Sequence, residues 1–240
     1  MHYSYLFVIL ITILLGPVHA KGEQVSMQFR TFSVSGDLKG IHCYMKSGSV
    51  KIDVSSAKRS APFKYRGGRE MIFFRKRDQV SGQEIVPLAK VSLQGNLRNP
   101  LIVFIRQRKD GVSDLPYKLK VIQDDPRDFS NGMVRLMNLT KKPLHIVLGQ
   151  GREVNRELKP YQILSYRLPE GFKGNLPLKI SMRHARGMTP LMNSRVFPNK
   201  DVRDIYFIWP GHRQDAGHKV RISTLRERGD IARMRLNTEK

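Results

Sequence analysis

Apolar positions fall in short runs, several alternating with polar ones at every second residue, and turn formers fill the gaps. In Ser26–Val34, Met27, Phe29, Thr31 and Ser33 share one parity, and Gln28, Arg30, Phe32 and Val34 share the other. Successive side chains of a strand point to opposite faces, so such runs predict strands. Gly40–Met45, Val50–Val54, Phe63–Tyr65, Met71–Phe74, Val86–Leu93, Leu101–Ile105 and Tyr117–Ile122 continue the series. Turn signals such as Ser35-Gly36-Asp37, Ser47-Gly48, Gly67-Gly68 and Asn99-Pro100 separate them. Short strands punctuated in this way predict an all-β sandwich or barrel. No stretch sustains a helical period with capping residues; the candidate exception is the mixed charged and apolar segment Ser223–Leu236, where Gly229 weakens the case for a short tail helix.

The strongest break is Gln123–Asn131, where three Asp, a Pro and the Asn131-Gly132 step form a linker or turn cluster. Strand-like runs resume at Met133–Leu139, Leu144–Leu148, Glu153–Leu158, Ile163–Leu168, Leu176–Met182, Ile205–Trp209 and Lys219–Ser223. The expected organisation is two tandem β-sandwich domains, over 21–124 and 131–225, followed by a basic tail over 226–240. A single larger sandwich with the acidic stretch as a loop is the alternative. Asp124, Asp125 and Asp128 lack the ligand ladder of a calcium loop and read as a solvated linker.

The first 20 residues stand outside the fold. An apolar run from Tyr5 to Leu15 is broken by Gly16-Pro17, and Val18-His19-Ala20 sets small residues at the −3 and −1 positions of a cleavage site. This is the layout of a secretory signal peptide, with cleavage expected after Ala20 and export to the periplasm or beyond. The run is shorter than the roughly 20 residues a bilayer-spanning helix needs.

Composition narrows the class further. Hydrophobic residues make up 40% and aromatics 8% of the 240 residues, enough for a packed core. One Cys permits neither an intrachain disulfide nor a thiol-rich zinc site. Forty-three Lys and Arg against 20 Asp and Glu give a net charge of +23, and none of the basic residues lies in the first 20. Arg66, Arg69, Arg75, Lys76 and Arg77 cluster around one expected hairpin, interleaved with Tyr65, Phe73 and Phe74. Arg106 and Arg108 follow a strand end, and Arg183 and Arg186 flank a loop. Basic patches with aromatics hold polyanions. Export favours an anionic polysaccharide, lipid headgroup or acidic protein over nucleic acid as the partner.

Catalytic constellations are not evident. There is no Gly-x-Ser-x-Gly elbow. His42 and Cys43 are adjacent, but strand geometry sends adjacent side chains to opposite faces. The remaining histidines, His145, His184, His212 and His218, show no i, i+4 metal spacing. The expectation is therefore a non-enzymatic protein with no cofactor and no metal.

Two resemblances add to this reading. Val134-Arg135-Leu136-Met137-Asn138-Leu139-Thr140, then Pro143–Leu148, then Leu158-Lys159-Pro160-Tyr161-Gln162 and a strand ending at Leu168-Pro169, resembles the immunoglobulin-like modules of exported bacterial proteins. The resemblance implies a sandwich and carries no activity with it. Asn138-Leu139-Thr140 also fits an N-glycosylation pattern, although a side-chain-stabilised turn accounts for it. In length, expected two-domain organisation, signal segment and basic balance the chain is also similar to periplasmic pilus chaperones, which act by β-augmentation. That resemblance would make Leu101–Ile105 a donated edge strand. The chaperone segment that precedes the donor strand is absent, and a continuous apolar run is more often a buried central strand.

Overall fold

A computed structural model describes residues 24–79, 82–107, 115–149, 153–185, 187–211 and 220–228. The expected signal segment 1–20, Arg108, Arg186, His212, His218 and the chain beyond 228 lie outside the described residues. The fold is all-β. The first half comprises β1 (Val25–Ser33), β2 (Leu38–Met45), β3 (Gly48–Val54), β4 (Phe63–Gly67), β5 (Glu70–Gln79), β6 (Gly82–Ser92), β7 (Pro100–Arg106) and β8 (Tyr117–Gln123). The second comprises β9 (Met133–Asn138), β10 (Leu144–Leu148), β11 (Val154–Leu158), β12 (Ile163–Arg167), β13 (Leu176–His184), β14 (Gly187–Val196), β15 (Val202–Pro210) and β16 (Val220–Arg228).

Each half folds as two four-stranded sheets, ordered β4-β1-β7-β8 with β3-β2-β5-β6, and β12-β9-β15-β16 with β11-β10-β13-β14. Adding eight to each strand number of the first half yields the second, so the chain is a structural duplication. In both halves the first and seventh strands pair in parallel at the centre of one sheet, β1 with β7 and β9 with β15. The two-sandwich expectation holds. An immunoglobulin sandwich is built from two antiparallel sheets, a pattern these central parallel pairs depart from.

Three hydrophobic cores form. Phe29, Ile41, Cys43, Ile52, Phe73, Ile102 and Phe104 fill the first sandwich, and Leu136, Leu144, Ile146, Leu178, Ile180, Tyr206 and Ile208 fill the second. The third joins them: Phe32, Leu101, Val103 and Ile122 pack with Phe129, Met137, Ile205, Phe207 and Leu225. The β4-β1-β7-β8 and β12-β9-β15-β16 sheets therefore face each other, and their central strands β7, β9 and β15 are buried on both sides over most of their length. This explains the unbroken apolar runs. In β15, Ile205 and Phe207 enter the interface while Tyr206 and Ile208 enter their own sandwich. Strands covered on both faces lose the alternation of a half-solvated strand. Leu101–Ile105 lies in β7, hydrogen-bonded to β1 on one side and β8 on the other, and is not an edge.

Three other segments depart from expectation. β14 was not anticipated, because its polar sequence and Pro190 suit an exposed edge strand and little else. β16 runs through Arg228, so 226–228 belong to the second sandwich and the described part of Ser223–Leu236 is strand. The acidic linker is partly buried: Asp124 and Asp125 are each 1% exposed, while Asp128 is exposed as expected. Among the described residues no helix is long and apolar enough to cross a membrane.

Candidate anion-binding face

Two charged assemblies stand out, one buried between the sandwiches and one on a solvent-facing sheet. The buried one is structural. Arg59 grips Asp124 through Nε and Nη2 at 2.7 and 3.0 Å. Arg203, wholly buried, donates to Glu227 and to the carbonyls of Asp124 and Phe129. The alternation that sends Ile205 into the interface sends Arg203 there too. Arg135 stacks over the Phe129 ring at 4.2 Å and donates to the Gln123 carbonyl. Asp125 accepts from the exposed Arg127, whose hydrogen bonds hold that carboxyl below its ordinary value despite burial. Asp204 is held by Arg226 on the far side of β15. These groups lock the linker between the two sheets.

Asn138 completes the structural set. It is fully buried; its amide donates to the Lys142 and Leu158 carbonyls, and its Oδ1 accepts from the Thr140 backbone and hydroxyl. The Asn-x-Thr and Leu-x-Pro segments thus close on one another, and the Asn138 side chain is fully engaged in the turn.

The solvent-facing assembly lies on the outer side of β3-β2-β5-β6. Ile41 and Cys43 of β2 point into the core, so His42 and Tyr44 point out. Register sets Phe74 opposite His42, and Lys51 opposite His42 on the other side. The Tyr44 and Phe74 rings stack at 4.2 Å, and His42 and Phe74 at 5.6 Å. Phe74 is 1% exposed beneath them, whereas Tyr44 is 41% exposed. Lys76, two residues along β5 from Phe74, and Lys90, opposite Ile72, share this side. Burial first, then the like charges of Lys76 and Lys51, pull the His42 imidazole below its ordinary value. The result is a three-ring stack bordered by lysines. The outer sheet of the second sandwich differs: there His145 lies opposite Glu157 and Ser181.

The residues expected from sequence to bind anions divide. Lys76 belongs to this face, and Arg75 and Arg77 lie beside it on β5, Arg75 donating to the Lys39 carbonyl at 3.5 Å. Arg69 precedes β5, donates to the Leu93 carbonyl, and is separated from Arg75 by about 20 Å of strand. Arg66 lines a separate open cleft of about 520 Å³ with Ser26, Gln28, Ser47 and Lys64. Arg106 ends β7, and Arg183 lies on β13 in the other sandwich. Tyr65 and Phe73, expected to interleave with the basic residues, are core side chains. Sequence reading missed Tyr44, Lys51 and Lys90 and treated His42 only as a neighbour of Cys43 and one of the histidines without metal spacing. The period-two pattern of β2 places His42 and Tyr44 together, but only the β2–β5 register brings them onto Phe74. Cys43 is buried on the opposite side and its thiol is pushed up to about 12. Neither family models nor curated proteins match this chain.

Proposed function

We propose that the chain is an exported, non-enzymatic binding protein of the cell envelope, matured by cleavage after Ala20, that contacts an anionic partner through the outer face of β3-β2-β5-β6. The observation that carries this reading is the His42–Tyr44–Phe74 stack bordered by Lys51, Lys76 and Lys90 on a solvent-facing sheet. The net charge of +23 supports it, since a strongly basic protein concentrates polyanions at its surface.

Binding of heparin to the mature chain, measured across a salt series, tests the proposal. Affinity that falls steeply with salt is expected, because cations that neutralise a polyanion displace its counterions. Affinity that is flat across the series, or no binding at low salt, overturns it. N-terminal sequencing of the exported protein checks the start at Lys21.

A further inference from the structure

Resting on that reading, we infer that the anionic partner is an acidic polysaccharide whose sugar rings stack on Tyr44. Three features of the face select this chemistry over other polyanions.

The first is the platform. Tyr44 has one ring face against Phe74 and is 41% exposed, so its other face is available to a flat ligand. Phe74 is in turn flanked by His42, which gives Tyr44 a rigid backing. Pyranose rings present apolar C–H faces that pack on aromatic planes, the same use of a π-face that sequence-tolerant nucleic-acid binders make of aromatic side chains.

The second is the arrangement of charge. Lys51 lies on β3, Lys76 on β5 and Lys90 on β6, while the rings occupy β2 and β5 between them. Neighbouring strands are about 4.8 Å apart, so the three ammonium groups span the sheet from side to side. A linear polymer crossing the strands meets a lysine on either side of the stack. Asp53, two residues along β3 from Lys51, borders the face at one end and sets a limit to it.

The third is relief. An anionic lipid surface is held by lysines together with protruding apolar side chains that enter the bilayer. Here Phe74 is 1% exposed beneath the other rings, the accessible aromatic side chain is the amphipathic Tyr44, and the exposed aliphatic Ile85, opposite Lys76, sits on the edge strand β6 rather than over the stack. The face is suited to a ring laid flat on it.

The test compares four probes against the mature chain: polygalacturonate, heparin, inorganic polyphosphate and phosphatidylglycerol vesicles. Polyphosphate carries charge without sugar rings. Tyr44→Ala is expected to weaken polygalacturonate and heparin about fivefold, within the range for a lost aromatic contact, and to leave polyphosphate unchanged. Tyr44→Phe keeps the platform and is expected to retain wild-type affinity, with thermal melts checking that both variants fold. Lys51→Gln and Lys76→Gln are expected to weaken every polyanion. Equal loss of polysaccharide and polyphosphate in Tyr44→Ala, or no loss of either, overturns the stacking inference. Vesicles binding more tightly than both polysaccharides assigns the face to lipid and overturns it likewise. Salt-dependent heparin binding that Tyr44→Ala leaves unchanged overturns this inference while leaving the proposed function standing; failure of heparin together with the other three probes overturns both.

Discussion

Phe32 of the first sandwich stacks on Phe207 of the second, with ring centroids 5.2 Å apart and planes 19° from parallel. Both sit on central parallel ladders, Phe32 opposite Val103 and Phe207 opposite Met137, and all four side chains belong to the interface core. Ser223 extends the contact, accepting from Trp209 and donating to the Val34 carbonyl across the boundary. The two halves are thereby joined by a core of their own as well as by a linker.

Cutting into that core is expected to destabilise both halves together. Phe207→Ala removes a fully buried ring and should cost about 3–5 kcal/mol. Urea unfolding followed separately by tyrosine and tryptophan fluorescence and by circular dichroism checks this. The wild-type chain is expected to unfold in one transition, since neither central sheet can expose its outer face without losing the shared core. Two separated wild-type transitions would show that the sandwiches are independent.

The ionic layer beside the core makes a second prediction. Arg203→Met leaves the buried Glu227 and the Asp124 and Phe129 carbonyls without their main donor. Breaking a buried ion pair from one side costs up to about 3–5 kcal/mol, here tempered because Glu227 retains Arg30 and Arg59 at 3.7 Å each. The measurement is the shift in urea midpoint, and it should exceed that of Arg195→Met, whose guanidinium meets Asn175 in solvent. Equal shifts would remove the layer from the account of stability.

Asn138→Ala tests the turn. The substitution removes the Asn138 donor to the Leu158 carbonyl and the acceptor of the buried Thr140 N–H, at about 1–3 kcal/mol for each unsatisfied group, while the Thr140 hydroxyl and the Lys142 carbonyl keep each other. A loss of several kcal/mol is expected, with Asn138→Asp only partly restoring stability because a carboxylate cannot donate to the Lys142 and Leu158 carbonyls. A variant as stable as wild type would show the knot to be dispensable.

How much of this was readable in advance depends on how local the determinant is. β2 announces itself by alternation, because Ile41 and Cys43 face a core while His42 and Tyr44 face solvent. β15 reads as a strand from its apolar content, yet nothing in Ile205–Trp209 says that both of its faces are covered; that follows from a second sheet lying outside it. The linker misled for the same reason. Asp124 finds Arg59 65 residues away and its carbonyl finds Arg203 79 residues away, so a cluster that looks solvated by composition is buried by partners no window contains. The site was half legible. Lys76 and its arginine neighbours were visible as a basic run, while the ring stack depends on the β2–β5 register, and the scatter of Arg66, Arg106 and Arg183 to other edges depends on topology.

The titration of His42 links the face to its environment. Its imidazole is drawn below the ordinary value of 6.5 by burial, then by Lys76 on β5 and Lys51 on β3, with Tyr44 and Phe74 as its ring neighbours. In the unfolded chain the group titrates near 6.5. Above that pH it is neutral in both states and contributes nothing to the pH dependence. As pH falls below 6.5 the unfolded chain takes up the proton first, so the native state loses stability until the lower folded value is passed. His42→Gln should therefore flatten the stability profile on the acid side of 6.5. An anion seated between Lys51 and Lys76 reverses the like-charge effect and raises the value, so heparin affinity should strengthen as pH falls through that window, and His42→Gln should abolish the increase. Imidazole chemical shifts, assigned by difference against His42→Gln, check both effects in the free and heparin-bound protein. A free value at or above 6.5, or one unmoved by heparin, would separate His42 from the binding face.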